Sequence, residues 1–274
     1  MPELPEVETI RRTLQQLVVG KTISAIEVMW PRIIQHPDDV EQFRLQLIGQ
    51  RIQSIGRRGK FLLFHLTEDT LVSHLRMEGN YKVVETGTEK GPHTHVVLQF
   101  SDGTSLYYTD VRKFGTMHVF PHEVVHDQLP LRKLGPEPLT KELTLEYFLE
   151  RVQATTRSIK AVLLDQTVVA GLGNIYVDEA LFRSGIHPET KANSLDEERI
   201  TKLLNAIDQT ISEAVEKGGS TVRTYVNSEG KMGMFQLSHN VYGRQGEPCK
   251  VCGSPIERLV VAGRGTHICP NCQE

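Results

Sequence analysis

The chain has 274 residues, 39% hydrophobic and 24% charged, proportions ordinary for a soluble globular protein. No run approaches the roughly 20 apolar residues of a membrane span. The chain opens on proline and glutamate ahead of any apolar run, so no signal peptide is expected. A formal charge of −3 and a pI near 6.4 argue weakly against a nucleic-acid partner. Binding depends on local clusters, however, and basic clusters lie in the loops.

Val7, Ile10, Leu14 and Leu17 recur at helical spacing, with Pro5 and Glu6 suited to a first turn and Gly20 ending it. Short β-type runs follow at 23–30, 51–55, 61–66, 71–75, 81–84, 95–100 and 105–109. Val40, Phe43 and Leu47 mark one more helix, and Asp102-Gly103 is a hairpin turn. Residues 1–130 therefore read as a mostly antiparallel β domain with flanking helices. Three prolines and a glycine in 129–138 read as an interdomain connection. Beyond it the period is helical. Leu143, Tyr147, Leu149 and Val152 suggest one helix, 159–164 another and 175–182 a third. A last one begins near Ser194 and carries Ile200, Leu203, Leu204, Ile207, Ile211 and Val215 up to Gly218-Gly219.

All four cysteines lie near the end, as two Cys-x2-Cys pairs: Cys249 with Cys252, and Cys269 with Cys272. Four thiolates brought together by a hairpin suit one structural zinc, with two disulfides as the alternative. A four-cysteine site has no open coordination position, so this metal folds the tail rather than catalysing. With no other cysteine, a reducing cytosol is the expected compartment. Between the pairs, Arg264 sits in a glycine-flanked turn suited to a phosphate contact.

Other segments admit two readings each. If Met1 is removed, Pro2 ends the chain with an α-amine whose pKa, near 7.7–8, leaves it partly unprotonated and nucleophilic, with Glu3 beside it to move protons. Proline here is also an ordinary helix lead-in. Residues 57–60 (Arg-Arg-Gly-Lys) are either a phosphate-gripping turn or a solvated hairpin tip. Residues 171–176 (Gly-Leu-Gly-Asn-Ile-Tyr) are either an anion-binding helix start or a tight interhelical turn. Met77 and Arg112-Lys113-Phe114, in connections at strand ends, are either packed side chains or wedges for a base stack.

Taken together, these residues resemble the bacterial formamidopyrimidine-DNA glycosylases, essentially from end to end. The likeness runs through PELPEVET at the start, RRGK at 57–60, SHLRMEG at 73–79 and DVRKFGT at 110–116. It continues through LLDQTVVAGLGNIYVDEALF at 163–182, VYGRQGEPC, and AGRGTHICPNCQ at the tail. The resemblance implies an α+β chain: an N-terminal antiparallel β-sandwich with flanking helices (1–130), a helix–two-turn–helix domain (131–236) and a C-terminal β-hairpin zinc finger (237–274). It implies a base-excision glycosylase that removes oxidised purines, 8-oxoguanine opposite cytosine and formamidopyrimidines, and then cleaves the strand by β,δ-elimination.

By the same resemblance Pro2 forms the Schiff base and Glu3 moves protons. Lys60 assists β-elimination and Arg264 the second elimination. Met77, Arg112 and Phe114 match the wedge, with Arg112 facing the cytosine, while His74, His93 and Asn174 match backbone contacts. A loop containing Gly219, Ser220, Thr221, Val222, Arg223, Thr224 and Tyr225 matches the one that closes over the flipped base. Thr155-Thr156 departs from the family, whose members often carry lysine there, so no phosphate contact is carried over. The implied partners are one Zn2+ and damaged double-stranded DNA, for a monomer in the cytoplasm with no nucleotide cofactor and no membrane. The alternatives are an endonuclease VIII-type glycosylase for oxidised pyrimidines and a non-catalytic zinc-ribbon DNA binder. Leu4 and the Met77, Arg112, Phe114 set favour the purine enzyme.

Overall fold

The structure is a computed structural model that describes residues 1–220 and 233–274. One compact unit holds Met1–Arg132, and a second holds Lys133–Ser220 with Met234–Glu274.

In the first unit, helix α1 (Leu4–Val18) starts at Glu3, whose N–H donates to the Glu6 carboxylate at 2.8 Å. This satisfies one of the amides that a helix start leaves without an intrahelical partner. Its buried stripe is Val7, Ile10, Leu14 and Val18, with Leu17 only half-buried at its edge. Full burial of each such side chain is worth about 1.5–3 kcal/mol. The chain continues through β1 (Ile23–Val28), β2 (Ile34–His36), α2 (Val40–Leu47), β3 (Ser54–Arg58), β4 (Phe61–His65), β5 (Asp69–His74), β6 (Asn80–Glu85), β7 (Thr94–Phe100), β8 (Thr104–Thr109) and β9 (Thr116–Pro121).

The strands form two sheets, ordered β1-β7-β8-β6 and β2-β9-β5-β4-β3. Side chains of both sheets and of α1 share one core, including Ile26, Leu98 and Tyr108 from the first sheet and Phe64, Leu71 and Val119 from the second. All pairings are antiparallel except β2 with β9, which is parallel. Two elements differ from the sequence expectation. The strand expected at 51–55 lies at Ser54–Arg58, drawn toward the turn by its ladder with the apolar β4. Strand β9 was not expected at all, yet it lies inside its sheet between β2 and β5. Only Met117, Val119 and Phe120 are buried in it, too short a pattern to stand out before Pro121.

In the second unit, α3 (Leu145–Gln153) is capped by Thr144, and its buried residues are Phe148 and Val152. Tyr147 and Leu149, expected on the inner stripe, are half-buried, so that face is rotated from the expected one. Helix α4 (Ile159–Leu164) is capped by Ser158, two turns follow, and α5 (Asn174–Ser184) ends at Gly185 in the left-handed region. The N-cap of α6 (Glu197–Glu216) is Asp196, which accepts the Arg199 N–H, whereas Ser194 sits in a preceding 3-10 turn. Strands β10 (Glu257–Val261) and β11 (Arg264–Ile268) form the terminal hairpin. Its two turn residues, Ala262 and Gly263, both have positive φ, the two-residue geometry that matches the twist of a hairpin. No helix among the described residues is long and apolar enough to cross a membrane.

Candidate active site and nucleic-acid interface

Helix α1 is tied to strand β3 in a definite register. Gln15 accepts the Ile55 N–H at 2.8 Å, Arg11 donates to the Ile55 carbonyl at 3.3 Å, and Glu8 pairs with Arg57 at 3.3 Å. Moving toward the helix start thus means moving along β3 toward the Gly59-Lys60 turn. That register carries Pro2 and Glu3 to the end of the unit where Lys60 lies. Pro2, Glu3 and Lys60 are all buried. Burial by itself raises the pKa of Glu8, but the cations of Arg11, Arg12 and Arg57 outweigh it and hold the carboxyl below its ordinary value. Arg57 is therefore engaged inside the protein, with Glu8 and with the Gly59 carbonyl at 2.9 Å, rather than being a loose surface cation.

Two further loops leave the same unit. One, 75–79, carries half-buried Met77, and the other, 110–115, carries exposed Arg112 and Phe114. Asp110, fully buried, organises the second loop. Its carboxylate accepts the N–H groups of Arg112 at 3.0 Å, Phe114 at 2.8 Å and Gly115 at 2.9 Å, and its carbonyl accepts from His95 Nε2 at 2.7 Å. The Arg112 guanidinium lies 4.7 Å over the Phe114 ring, and the Lys113 ammonium 4.3 Å over Trp30. Lys113 has φ +58, so the loop is held in a strained turn by these contacts.

His74 is buried at the start of the other loop, and its Nδ1 accepts the Arg76 N–H at 2.9 Å. Burial first, then the charges of Arg76 and Lys60, lower its pKa to about 3. It is therefore neutral, with its proton on Nε2. Any phosphate contact it makes is as a hydrogen-bond donor, not as a cation. His93 is exposed, and its carbonyl accepts the Asp110 N–H.

In the second unit, Gln166 closes the two turns before α5. It donates to the carbonyls of Leu164 and Leu172 and accepts the Gly171 N–H. Asn174, at the first turn of α5, donates from Nδ2 to the Gly265 carbonyl at 2.8 Å, so it links this helix start to the hairpin that carries Arg264. Arg264 itself is exposed beside the turn. Two adjacent acids of α5 reach the same tail. Glu179 accepts the backbone N–H groups of Asn240, Val241 and Tyr242, while Asp178 accepts that of His267 and pairs with Lys160. Both acids are fully buried, and nothing in their helical spacing announces it. The only sequence signal was their place inside an otherwise apolar stretch.

The four cysteine sulfurs lie within 4.8 Å of one another, with Cys249–Cys272 at 3.9 Å and Cys252–Cys269 at 3.4 Å. Zinc–thiolate bonds near 2.3 Å place tetrahedral sulfurs about 3.8 Å apart. Cys249, Cys252, Cys269 and Cys272 thus fit one structural Zn2+, and among the described residues the cluster holds these four ligands alone. Gln273 braces the site, accepting the Cys269 N–H and donating to the Ile186 carbonyl.

For the expected lesion-capping loop, only its root is described. Gly219 accepts from Phe235, and buried Ser220 bonds to His239 at 3.0 Å and Tyr176 at 3.4 Å. Thr221, Val222, Arg223, Thr224 and Tyr225 lie outside the described residues.

Family models match the chain in three stretches. They are the formamidopyrimidine-DNA glycosylase N-terminal domain over residues 1–117, its H2TH domain over 134–226, and the zinc finger found in FPG and IleRS over 246–274. Formamidopyrimidine-DNA glycosylase of Bacillus licheniformis is 60% identical over 274 residues, covering all of both chains. That of Bacillus subtilis is 57% identical over 273 residues, covering 100% of this chain and 99% of its own. Among solved structures, Lactococcus lactis Fpg with DNA containing an abasic site superposes with a TM-score of 0.93 at 43% identity, over 99% of each chain. The wild-type protein of that organism, with N7-benzyl-Fapy-dG DNA, gives 0.93 at 43% over the full length of both. The chain belongs to the formamidopyrimidine-DNA glycosylase family of base-excision repair enzymes.

Proposed function

We propose that the chain removes oxidised purines from duplex DNA, 8-oxoguanine opposite cytosine and formamidopyrimidines, and then cleaves the strand as an abasic-site lyase. The observation that supports this is the α1–β3 register, in which the helix start runs toward the Gly59-Lys60 end of β3, together with the burial of Glu3 and Lys60. Once Met1 is removed, the Pro2 nitrogen attacks C1′. Glu3 moves the proton that the sugar ring oxygen or departing base needs, and an iminium forms. Loss of a C2′ proton expels the 3′ phosphate, and loss of a C4′ proton expels the 5′ phosphate. Lys60 serves the first elimination and Arg264 the second.

His74, His93 and Asn174 meet the DNA backbone. Met77, Arg112 and Phe114 fill the space of the extruded nucleotide, with Arg112 on the cytosine. Gly219 and Ser220 root the loop, containing Thr221, Val222, Arg223, Thr224 and Tyr225, that covers the flipped base. The acidic total charge is compatible with this, because only the loops need meet phosphate. The protein acts in the cytoplasm on chromosomal DNA, as a monomer and without a nucleotide cofactor.

Borohydride trapping on a duplex with 8-oxoguanine opposite cytosine tests the reading. The expected product is a protein–DNA adduct whose modified peptide begins at Pro2. An adduct on Lys60 would overturn the nucleophile, and normal DNA binding with no adduct would leave a non-catalytic binder.

A further inference from the structure

Lys160 on α4 and Asp178 on α5 form an ion pair of 2.6 Å with both side chains fully buried. A well-packed apolar pair of the same volume is often as stabilising as a buried ion pair or more so, so the pair is weak evidence of a purely stabilising role. Further bonds of both side chains meet on one short stretch of β11. Lys160 Nζ also donates to Thr266 Oγ1 at 2.7 Å and reaches the Gly265 carbonyl at 3.5 Å. The Thr266 hydroxyl passes this on, donating to the Arg264 carbonyl at 2.9 Å. The second carboxylate oxygen of Asp178 accepts the His267 N–H at 2.9 Å, and Asn174 holds the Gly265 carbonyl from the other side. Residues 265–267 are thus held one after another by side chains of two helices, and Arg264 is held through Thr266. A two-stranded hairpin is only marginally ordered by its own ladder. The zinc staples the end of the hairpin opposite the turn, where Arg264 lies.

We propose that Lys160 and Asp178 are positioning residues for Arg264, setting the register of the strand that presents it to the DNA. The proposal rests on the second-elimination role given to Arg264 above. Adjacent Glu179 provides the contrast. Its bonds go to residues 240–242, ahead of the zinc ligands, so it secures the module without addressing Arg264.

The test replaces the pair with apolar residues of similar volume, Lys160→Met together with Asp178→Leu, in the full zinc-loaded chain. Removing both charges together avoids leaving one buried alone. Thermal melting and zinc content confirm folding. Single-turnover assays on an 8-oxoguanine duplex then compare base release, the first elimination and the second. Base release should change by less than about threefold, while the second elimination slows about tenfold or more, since a misplacement of about 1 Å can cost on the order of a hundredfold. The β-product should accumulate as it does for Arg264→Ala, run in parallel. A wild-type product ratio in the folded double variant, with the Arg264→Ala ratio altered, overturns the positioning role alone. An unaltered ratio in Arg264→Ala removes the role of the arginine and overturns the proposal with it. If the double variant does not fold, Thr266→Val decides, because it cuts the link from Lys160 to the Arg264 carbonyl and leaves the ion pair in place. Accumulated β-product in that variant supports the proposal, and an unchanged ratio overturns it.

Discussion

The Tyr108 hydroxyl fills the space beside Gly115, where an added Cβ would lie only 1.7 Å from it. The same hydroxyl would be 2.4 Å from a Cβ on Gly79. One buried tyrosine on β8 therefore sits between the loop that carries Met77 and the loop that carries Arg112 and Phe114. A tyrosine ring held in the core cannot swing away as a lysine tip could. Gly115→Ala is expected to destabilise the protein by about 1–3 kcal/mol or more through overpacking. It should also slow lesion excision more than it lowers binding of undamaged duplex. Tyr108→Phe, which removes only the hydroxyl, should cost about 1 kcal/mol. Urea melts and single-turnover excision check both, and a Gly115→Ala protein with wild-type stability and rate would refute the clamp.

Much of this was legible from residues alone. The α1 stripe, the hairpin at Asp102-Gly103 and the cysteine pairs follow local rules of periodicity, turn chemistry and ligand spacing. Strand β9 was missed because its identity depends on neighbours, β2 and β5, that come from distant parts of the chain. Asp110, Asp178 and Glu179 were invisible as organisers for a related reason. An acid at a given spacing looks the same whether it meets water or accepts three backbone N–H groups. His74 was expected at the DNA, and the structure adds that burial makes it neutral, a property no sequence pattern reports.

That burial gives a prediction with a definite sign. The His74 pKa is lowered from 6.5 to about 3, so between these values the unfolded chain binds a proton that the folded chain refuses. The stability contributed by neutral His74 is complete above pH 6.5 and is lost progressively as the pH falls toward 3. Fully developed, the shift is worth on the order of 5 kcal/mol. His118, lowered to about 4 by burial and by the charges of His36 and Arg76, acts in the same direction. Denaturant melts from pH 7.5 to 4 should show falling stability, with a shallower slope for His74→Gln. Equal slopes for the two proteins would rule His74 out as a source.

Zinc removal should unfold part of the second unit and spare the first. Metal binding by four thiolates supplies about 10–16 kcal/mol in small zinc modules, so a stripped tail is expected to lose its hairpin. Cys249→Ser should lose stoichiometric zinc and at least about tenfold in DNA affinity, because Arg264 and the Gly265 contact of Asn174 both depend on that hairpin. The β-sandwich has its own core and should keep its near-ultraviolet circular dichroism. Undiminished DNA affinity in a verified zinc-free protein would contradict the structural role.

The last prediction concerns the base opposite the lesion. Arg112 is exposed, its backbone N–H donates to the Asp110 carboxylate, and its guanidinium lies 4.7 Å from the centre of the Phe114 ring. An arginine on an exposed loop can present its donors to a base edge. A well-placed contact of this kind discriminates between bases by about 1–3 kcal/mol, or roughly five- to 150-fold. Arg112→Ala should therefore lower the preference for 8-oxoguanine opposite cytosine over 8-oxoguanine opposite adenine by at least about fivefold. Phe114→Leu keeps the arginine and a wedge of nearly the same volume but removes the stacking, so it should cost less of that preference, by about 0.5–1 kcal/mol for an exposed cation–π contact. Single-turnover rates on the two duplexes give both ratios directly. A larger loss for Phe114→Leu than for Arg112→Ala would move the reading of the opposite base from the arginine to the ring.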